Sequence, residues 1–168
     1  MSKTHSTSVT AFVSAPGPIG YLAEGEPVFH GSPANAPKLL DPVRRDVHTA
    51  LVTASVGDDG RLLPVIGAHV DGLVVAGFGA GHVPGGYVDE LEKLASRIPV
   101  VLATRTGRGP VLRRTYGFRG SESDPISRGV IPAGTLTPIK AKVLLHTALA
   151  IGTSSADIRA LFEEGCSR

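Results

Sequence analysis

GLVVAGFGAGHVPGGYVDELEKLASRIPVVLAT, residues 72–104, decides the fold. It opens on a short apolar run, Gly72 to Gly77, and closes on another, Val100 to Thr104, both rich in valine. Neither run alternates polar with apolar, so each suits a parallel strand covered on both faces. Between them Val88, Leu91, Leu94, Ala95 and Ile98 recur at helical spacing. Asp89 and Glu90 fall in the first turn, where negative charge meets the positive end of the helix dipole. The stretch therefore reads as strand, glycine-rich loop, helix, strand.

The same rhythm extends to either side. TALVTASV, residues 49–56, is a third apolar run, and GVIPA, residues 129–133, a weaker fourth. Thr137-Pro138 reads as a cap and first helical position ahead of IKAKVLLHTALAIG. That helix is apolar almost all round, which predicts that it is largely buried. Gly152 ends it, and Ser154 or Ser155 caps a last helix with Ile158, Leu161 and Phe162 on one stripe. Alternating units of this length predict an α/β fold: a small, open, mostly parallel sheet of about four strands with helices on both faces, Rossmann-like or flavodoxin-like in kind.

The first 45 residues differ in texture. Pro16, Pro18, Pro27, Pro33, Pro37 and Pro42 break the chain, so no long helix forms and only short strands survive. Val9–Val13 and Gly20–Phe29 are read as a hairpin-like pair, and Gly31–Arg44 as an irregular linker.

Composition narrows the function. With 17 basic and 15 acidic residues the net charge is +2, too near balance to argue for nucleic acid or a membrane surface. Aromatics are 5% and tryptophan is absent, so the core must be aliphatic. One cysteine, Cys166, forms no internal disulfide and is compatible with a reducing, cytoplasmic setting. No apolar run approaches the roughly 18 residues of a spanning helix. Ser2 to His5 is polar, so no export signal is read there.

In an open α/β sheet ligands gather at the carboxyl ends of the strands, which singles out three loops. The first, GFGAGHVPGG at 77–86, allows close backbone approach. It is not a dinucleotide loop: His82 stands where a third glycine belongs, and Thr104 and Arg105 end the next strand where an acidic residue is needed. A tight strand-to-helix turn explains the glycines equally well. The second, TYGFRGSESD at 115–124, offers Glu122 and Asp124 after a basic run of Arg105, Arg108, Arg113 and Arg114. Those arginines are read as balancing this loop and the helix ends rather than as a phosphate patch. The third, Pro132–Thr137, is structural.

The six histidines show no metal spacing and one cysteine supplies no zinc set. His69 and Asp71 make only a lone His-x-Asp, and His146 on the apolar helix is read as a satisfied core histidine. No Gly-x-Ser-x-Gly elbow occurs, which argues against a self-contained serine hydrolase.

Two segments, PVVLATRTGRGPV (99–111) and GVIPAGTLTPIKAKVLLHTALAIGTSSADIRALF (129–162), resemble the C-terminal domain of the bacterial L-asparaginases, which are threonine-nucleophile amidohydrolases. KTHSTSVTAFVSAPGPIGYLAEGEPVFH (3–30) is similar to the stretch that closes the N-terminal domain of that family. The resemblance divides the chain into residues 1–45, a domain tail and linker, and residues 46–168, the C-terminal domain. It implies hydrolysis of L-asparagine to aspartate and ammonia, with no cofactor and no metal. The family's catalytic threonines lie upstream of Met1, so the resemblance implies no catalytic residue in this chain and no activity by itself; an export signal would lie in that missing part too.

What the chain supplies, on the same basis, is a contribution to a neighbouring subunit's site. Glu122 matches the glutamate that pairs with the substrate α-ammonium, with Asp124 a nearby alternative. His82, after Gly81, matches the position often held by a polar amide. Against this, His82 is also read as a solvent-facing turn histidine, and Glu122 or Asp124 as part of a solvated acidic loop. The implied partners are an asparaginase N-terminal domain and further copies of the chain, in a homodimer or homotetramer. The alternative is a free-standing α/β binding or assembly module without catalysis.

Overall fold

The computed structural model describes residues 2–14, 17–31 and 45–164. The linker read at Gly31–Arg44 and Cys166 lie, save for Gly31, outside the described residues. Chain contacts group into two compact units, residues 1–39 and 40–168.

The first unit holds four short strands in two antiparallel pairs. β1 (Ser2–Lys3) pairs with β2 (Phe12–Val13), and β3 (Gly20–Ala23) with β4 (Glu26–Phe29). This corrects the pairing expected of Val9–Val13 with Gly20–Phe29. Residues 20–29 close on themselves because Glu24 and Gly25 both take positive φ, 51° and 88°, as a two-residue hairpin turn requires. Glycine accepts that conformation freely, whereas it is uncommon for a side chain such as that of Glu24.

In the second unit, β5 (Thr49–Thr53), β6 (Gly72–Gly77), β7 (Val100–Thr104) and β8 (Ile131–Pro132) form one sheet in that order, every pair parallel. β6 and β7 match their apolar runs residue for residue. β5 stops three residues early because the Asp58 carboxylate accepts the Ser55 N–H at 2.7 Å and starts a turn. β8 shrinks to two residues, and its proline suits an edge position.

Because the strands succeed one another in a single direction, right-handed crossovers place every intervening helix on the same face. Side-chain burial shows it. Leu73, Val75, Val100 and Leu102 point into one core with Leu63 of α1 (Leu63–Gly67), Val88, Leu91 and Leu94 of α2 (Val88–Ala95), and Ile126 of α3 (Ser123–Ser127). Their alternates Val74, Val101 and Ala103 point into a second core with Ala141, Leu145 and Ala148 of α4 (Pro138–Ala150) and Ile158 and Phe162 of α5 (Ser155–Glu164). Each leucine so buried contributes about 1.5–3 kcal/mol. The cores are aliphatic but for Tyr87 and Phe162, with Phe78 packed against the first.

α4 begins at Pro138, but the Thr137 side chain makes no capping hydrogen bond; only its extended backbone serves. Its end is more complete. Gly152 N–H bonds to Leu149 C=O and Thr153 N–H to Ala148 C=O, the paired bonds of a Schellman motif. Ser154 then caps α5 by accepting the Asp157 N–H. α4 is less buried than its sequence implies: Ile139 is 71% and Val143 61% exposed. A single sheet covers one side of a helix, and these two face away from it.

Candidate functional site

The loops after β6 and β7, the two central strands, meet at the carboxyl edge of the sheet. The first is closed by a bridge between Phe78 and His82: Phe78 N–H donates to His82 C=O at 2.8 Å and His82 N–H to Phe78 C=O at 2.9 Å. The second loop crosses it, with Leu112 N–H on Ala80 C=O at 2.9 Å and Val83 N–H on Gly120 C=O at 2.8 Å. Two elements distant in sequence are thereby locked by main-chain bonds.

Gly81, His82 and Glu122 come together at this crossing. Gly81 takes φ +110°, and a Cβ there would lie 2.7 Å from Val111 Cγ1 and 3.5 Å from Glu122 Cβ. Glu122 is fully buried. Its Oε1 accepts both the Thr115 and the Tyr116 N–H at 3.0 Å. Its Oε2 faces His82 Nδ1 at 3.4 Å, and neither of these buried atoms makes a hydrogen bond. The imidazole is 24% exposed and is covered edge-on by Tyr116, with ring centroids 4.8 Å apart, and by Phe118 at 5.2 Å. His82 is therefore neither a free turn histidine nor deeply interior, and Glu122 is no solvated loop residue.

Asp124 stands apart from this group. It accepts the Gly120 N–H at 2.9 Å and pairs with Arg128 at 2.7 Å. Burial raises its pKa, but the Gly120 N–H and the Arg128 guanidinium outweigh that and hold it below the ordinary value. Arg128 also meets Glu92 at 2.6 Å, and Arg119 meets Asp89 at 2.8 Å, tying the second loop to α2. Of the basic run, Arg105 lies over the Phe78 ring at 4.2 Å and donates to Ala54 C=O.

The remaining candidates are structural. Asp71 accepts the His48 N–H at 2.7 Å and fixes the start of β5. His146 meets Thr49 Oγ1 at 3.4 Å. Sequence reasoning gave Thr104 no role, yet its buried hydroxyl donates to Gly79 C=O at 2.5 Å. Only the pairing of Thr104 with Gly77 across the sheet reveals that reach. Among the described residues no group of three or more His, Cys, Asp or Glu is arranged for a metal ion, and no helix is long and apolar enough to cross a membrane.

Chemically, the crossing offers a carboxylate with one oxygen anchored and one unpaired, beneath an imidazole and two aromatic rings. Such an oxygen fits a cationic hydrogen-bond donor. The nucleophile and base of an acyl transfer are not assembled there. Among the described residues the hydroxyl–imidazole contact of that type, Thr49 with His146, sits at the amino end of β5, the opposite edge.

Residues 48–162 match the family of glutaminase/asparaginase C-terminal domains. A probable L-asparaginase of Deinococcus radiodurans is 36% identical, over 98% of this chain and 51% of its own length. L-asparaginase 2 of Escherichia coli is 30% identical, over 98% of this chain and 48% of its own. The solved structure of the thermostable L-asparaginase from Thermococcus kodakarensis superposes with a TM-score of 0.79 at 26% identity, covering 96% of this chain and 50% of that one. The chain spans about half the length of the curated relatives it matches.

Proposed function

The chain belongs to the glutaminase/asparaginase family through its C-terminal domain, and on that premise we propose that it is the substrate-completing lobe of an L-asparagine amidohydrolase. In this reading Gly81, His82 and Glu122 face an amino-acid substrate held by a catalytic domain of a neighbouring subunit. The observation that carries it is the Glu122 carboxylate, anchored through Oε1, with Oε2 facing His82 Nδ1 at 3.4 Å and making no hydrogen bond. An α-ammonium supplies the missing charge-assisted hydrogen bond once the His82 ring turns aside. The amide carbon is attacked by a hydroxyl from the catalytic domain, ammonia leaves, and water resolves the acyl-enzyme. Groups of that kind act as a unit, so the lobe without them has no measurable rate.

Ammonia release from L-asparagine tests the proposal, first with this chain alone and then with the N-terminal domain of the Deinococcus radiodurans relative added. Silence alone, activity on mixing, and its loss in Glu122→Ala are expected. Turnover by the lone chain would mean that a nucleophile resides here and would end this reading. A second reading, an assembly lobe without chemistry, is favoured by exposed Ile139 and Val143 on α4. Sedimentation decides it: self-association that disappears in Val143→Glu, with no activity on mixing, selects this alternative.

A further inference from the structure

The last residue of β7, Thr104, and the next, Arg105, both contact the His82 loop. Arg105 lies over the ring of Phe78, the residue bridged to His82, at 4.2 Å from its centroid. Thr104, 3% exposed, reaches the loop's interior and donates its hydroxyl proton to the Gly79 carbonyl at 2.5 Å. Thr106 N–H donates to the same hydroxyl oxygen at 3.3 Å, occupying a lone pair and leaving the proton for Gly79. Between the bridged residues lie only Gly79, Ala80 and Gly81, with φ of +41° at Gly79 and +110° at Gly81. Two glycines in three positions leave this turn with little intrinsic preference among conformers. The Phe78–His82 bonds close the turn, and the Thr104 hydroxyl holds it from the β7 side through Gly79.

We propose that Thr104 is a positioning residue for His82: by holding the Gly79 carbonyl it sets His82 Nδ1 opposite Glu122 Oε2. A valine in its place would keep the strand propensity and the shape but leave the carbonyl without its donor. The turn would then relax, and the imidazole, three residues on, would lose its alignment over the carboxylate. The functional meaning of this relay rests on the substrate-facing role given to His82 and Glu122 above; the relay itself does not.

Nuclear magnetic resonance on the full chain separates the two. The Thr104 hydroxyl bond, buried and donated to Gly79 C=O, predicts a slowly exchanging Thr104 hydroxyl proton signal. Thr104→Val is expected to move the His82 ring nitrogen resonances while the Val74 and Val101 amides stay in place. Thr104→Ser, which keeps the donor, should restore the wild-type ring signals. In a Glu122→Gln background the effect of Thr104→Val on the ring should shrink, because the facing carboxylate is gone. In the reconstituted amidase Thr104→Val should lower KM several-fold with kcat nearly unchanged, because a ring no longer held over the carboxylate need not be displaced by the ammonium. Unmoved His82 signals in a folded Thr104→Val chain, or equal shifts in valine and serine variants, would overturn the proposal. Should the valine variant not fold, a Thr104 hydroxyl proton that exchanges as fast as an exposed one in the unmodified chain overturns it instead. If mixing yields no amidase, the proposed function fails while the resonance measurements still judge the relay.

Discussion

Glu122→Ala removes the carboxylate that accepts the Thr115 and Tyr116 N–H groups of the loop after β7. The Thr115 and Tyr116 N–H groups each lose a charge-assisted bond at 3.0 Å, and bonds of that class contribute about 1.5–3 kcal/mol apiece. Two effects offset part of the loss. Both donors belong to exposed residues and can turn to water, and the change also deletes the unpaired, buried Oε2, whose burial costs about 1–3 kcal/mol. A net destabilisation of about 2 kcal/mol follows. Glu122→Gln behaves differently. Its carbonyl oxygen still accepts both N–H groups, and its amide can donate to His82 Nδ1, pairing an atom that has no bond in the wild type. The glutamine variant should therefore lie within about 1 kcal/mol of wild type, on either side. Urea unfolding followed by circular dichroism measures both, with an unchanged m-value confirming that the same surface is exposed. An alanine variant as stable as wild type, or a glutamine variant less stable than alanine, refutes the reasoning.

Gly81→Ala should cost about 2–4 kcal/mol, from φ +110° and a Cβ placed 2.7 Å from Val111 Cγ1, and calorimetry would register the lowered Tm. Tyr87→Phe probes the alkaline limb: burial, then the Asp58 hydrogen bond, push the Tyr87 phenol up to about 12. A folded pKa above the unfolded value of 10.0 gives stability that is complete below pH 10.0 and lost as pH rises towards 12. Unfolding followed across that window should thus depend less on pH in the phenylalanine variant. Asp124→Asn acts at the other end. The folded carboxyl lies below its ordinary 3.8, so its contribution is present above 3.8 and fades as pH falls through the lower folded value. The asparagine variant should be weaker at neutral pH and show a flatter acid limb.

The sheet was legible because its central strands are unbroken apolar runs bracketed by turn residues, and no local rule competes there. α4 and α5 were legible from Pro138, Gly152 and Ser154, each a residue whose geometry stops or starts a helix. α1 was not, since Leu63–Gly67 is too short to show a period. α3 hid behind Pro125, which reads as a breaker but sits in the first turn, where a missing N–H costs nothing. The site was the least legible part. Gly81 with His82 and Glu122 lie forty residues apart and share no motif spacing, so only resemblance joined them. Thr104 could not be found at all, because its target depends on strand register rather than on sequence separation.

The direction in which the sheet winds bears on what such a site can do. Strand order β5-β6-β7-β8 never reverses, and it is a reversal that opens a crevice at the carboxyl edge of an open sheet. Here the loops after β6 and β7 instead bond to each other through Leu112 with Ala80 and Val83 with Gly120, filling the space a ligand would need. Neither the groove lined by Phe118, Arg119, Asp124 and Arg128 nor the one lined by Asp58, Asp59 and Tyr87 includes His82 or Glu122. Small-molecule sites bury most of their ligand in a concavity, and a filled ridge supplies only one wall of such a concavity. Glu122 lies buried beneath His82 within that ridge, so the amine recognition proposed for it needs a second surface on the other side and movement of the His82 ring. This is why the mixing experiment, rather than any assay on the lone chain, decides the function of Glu122.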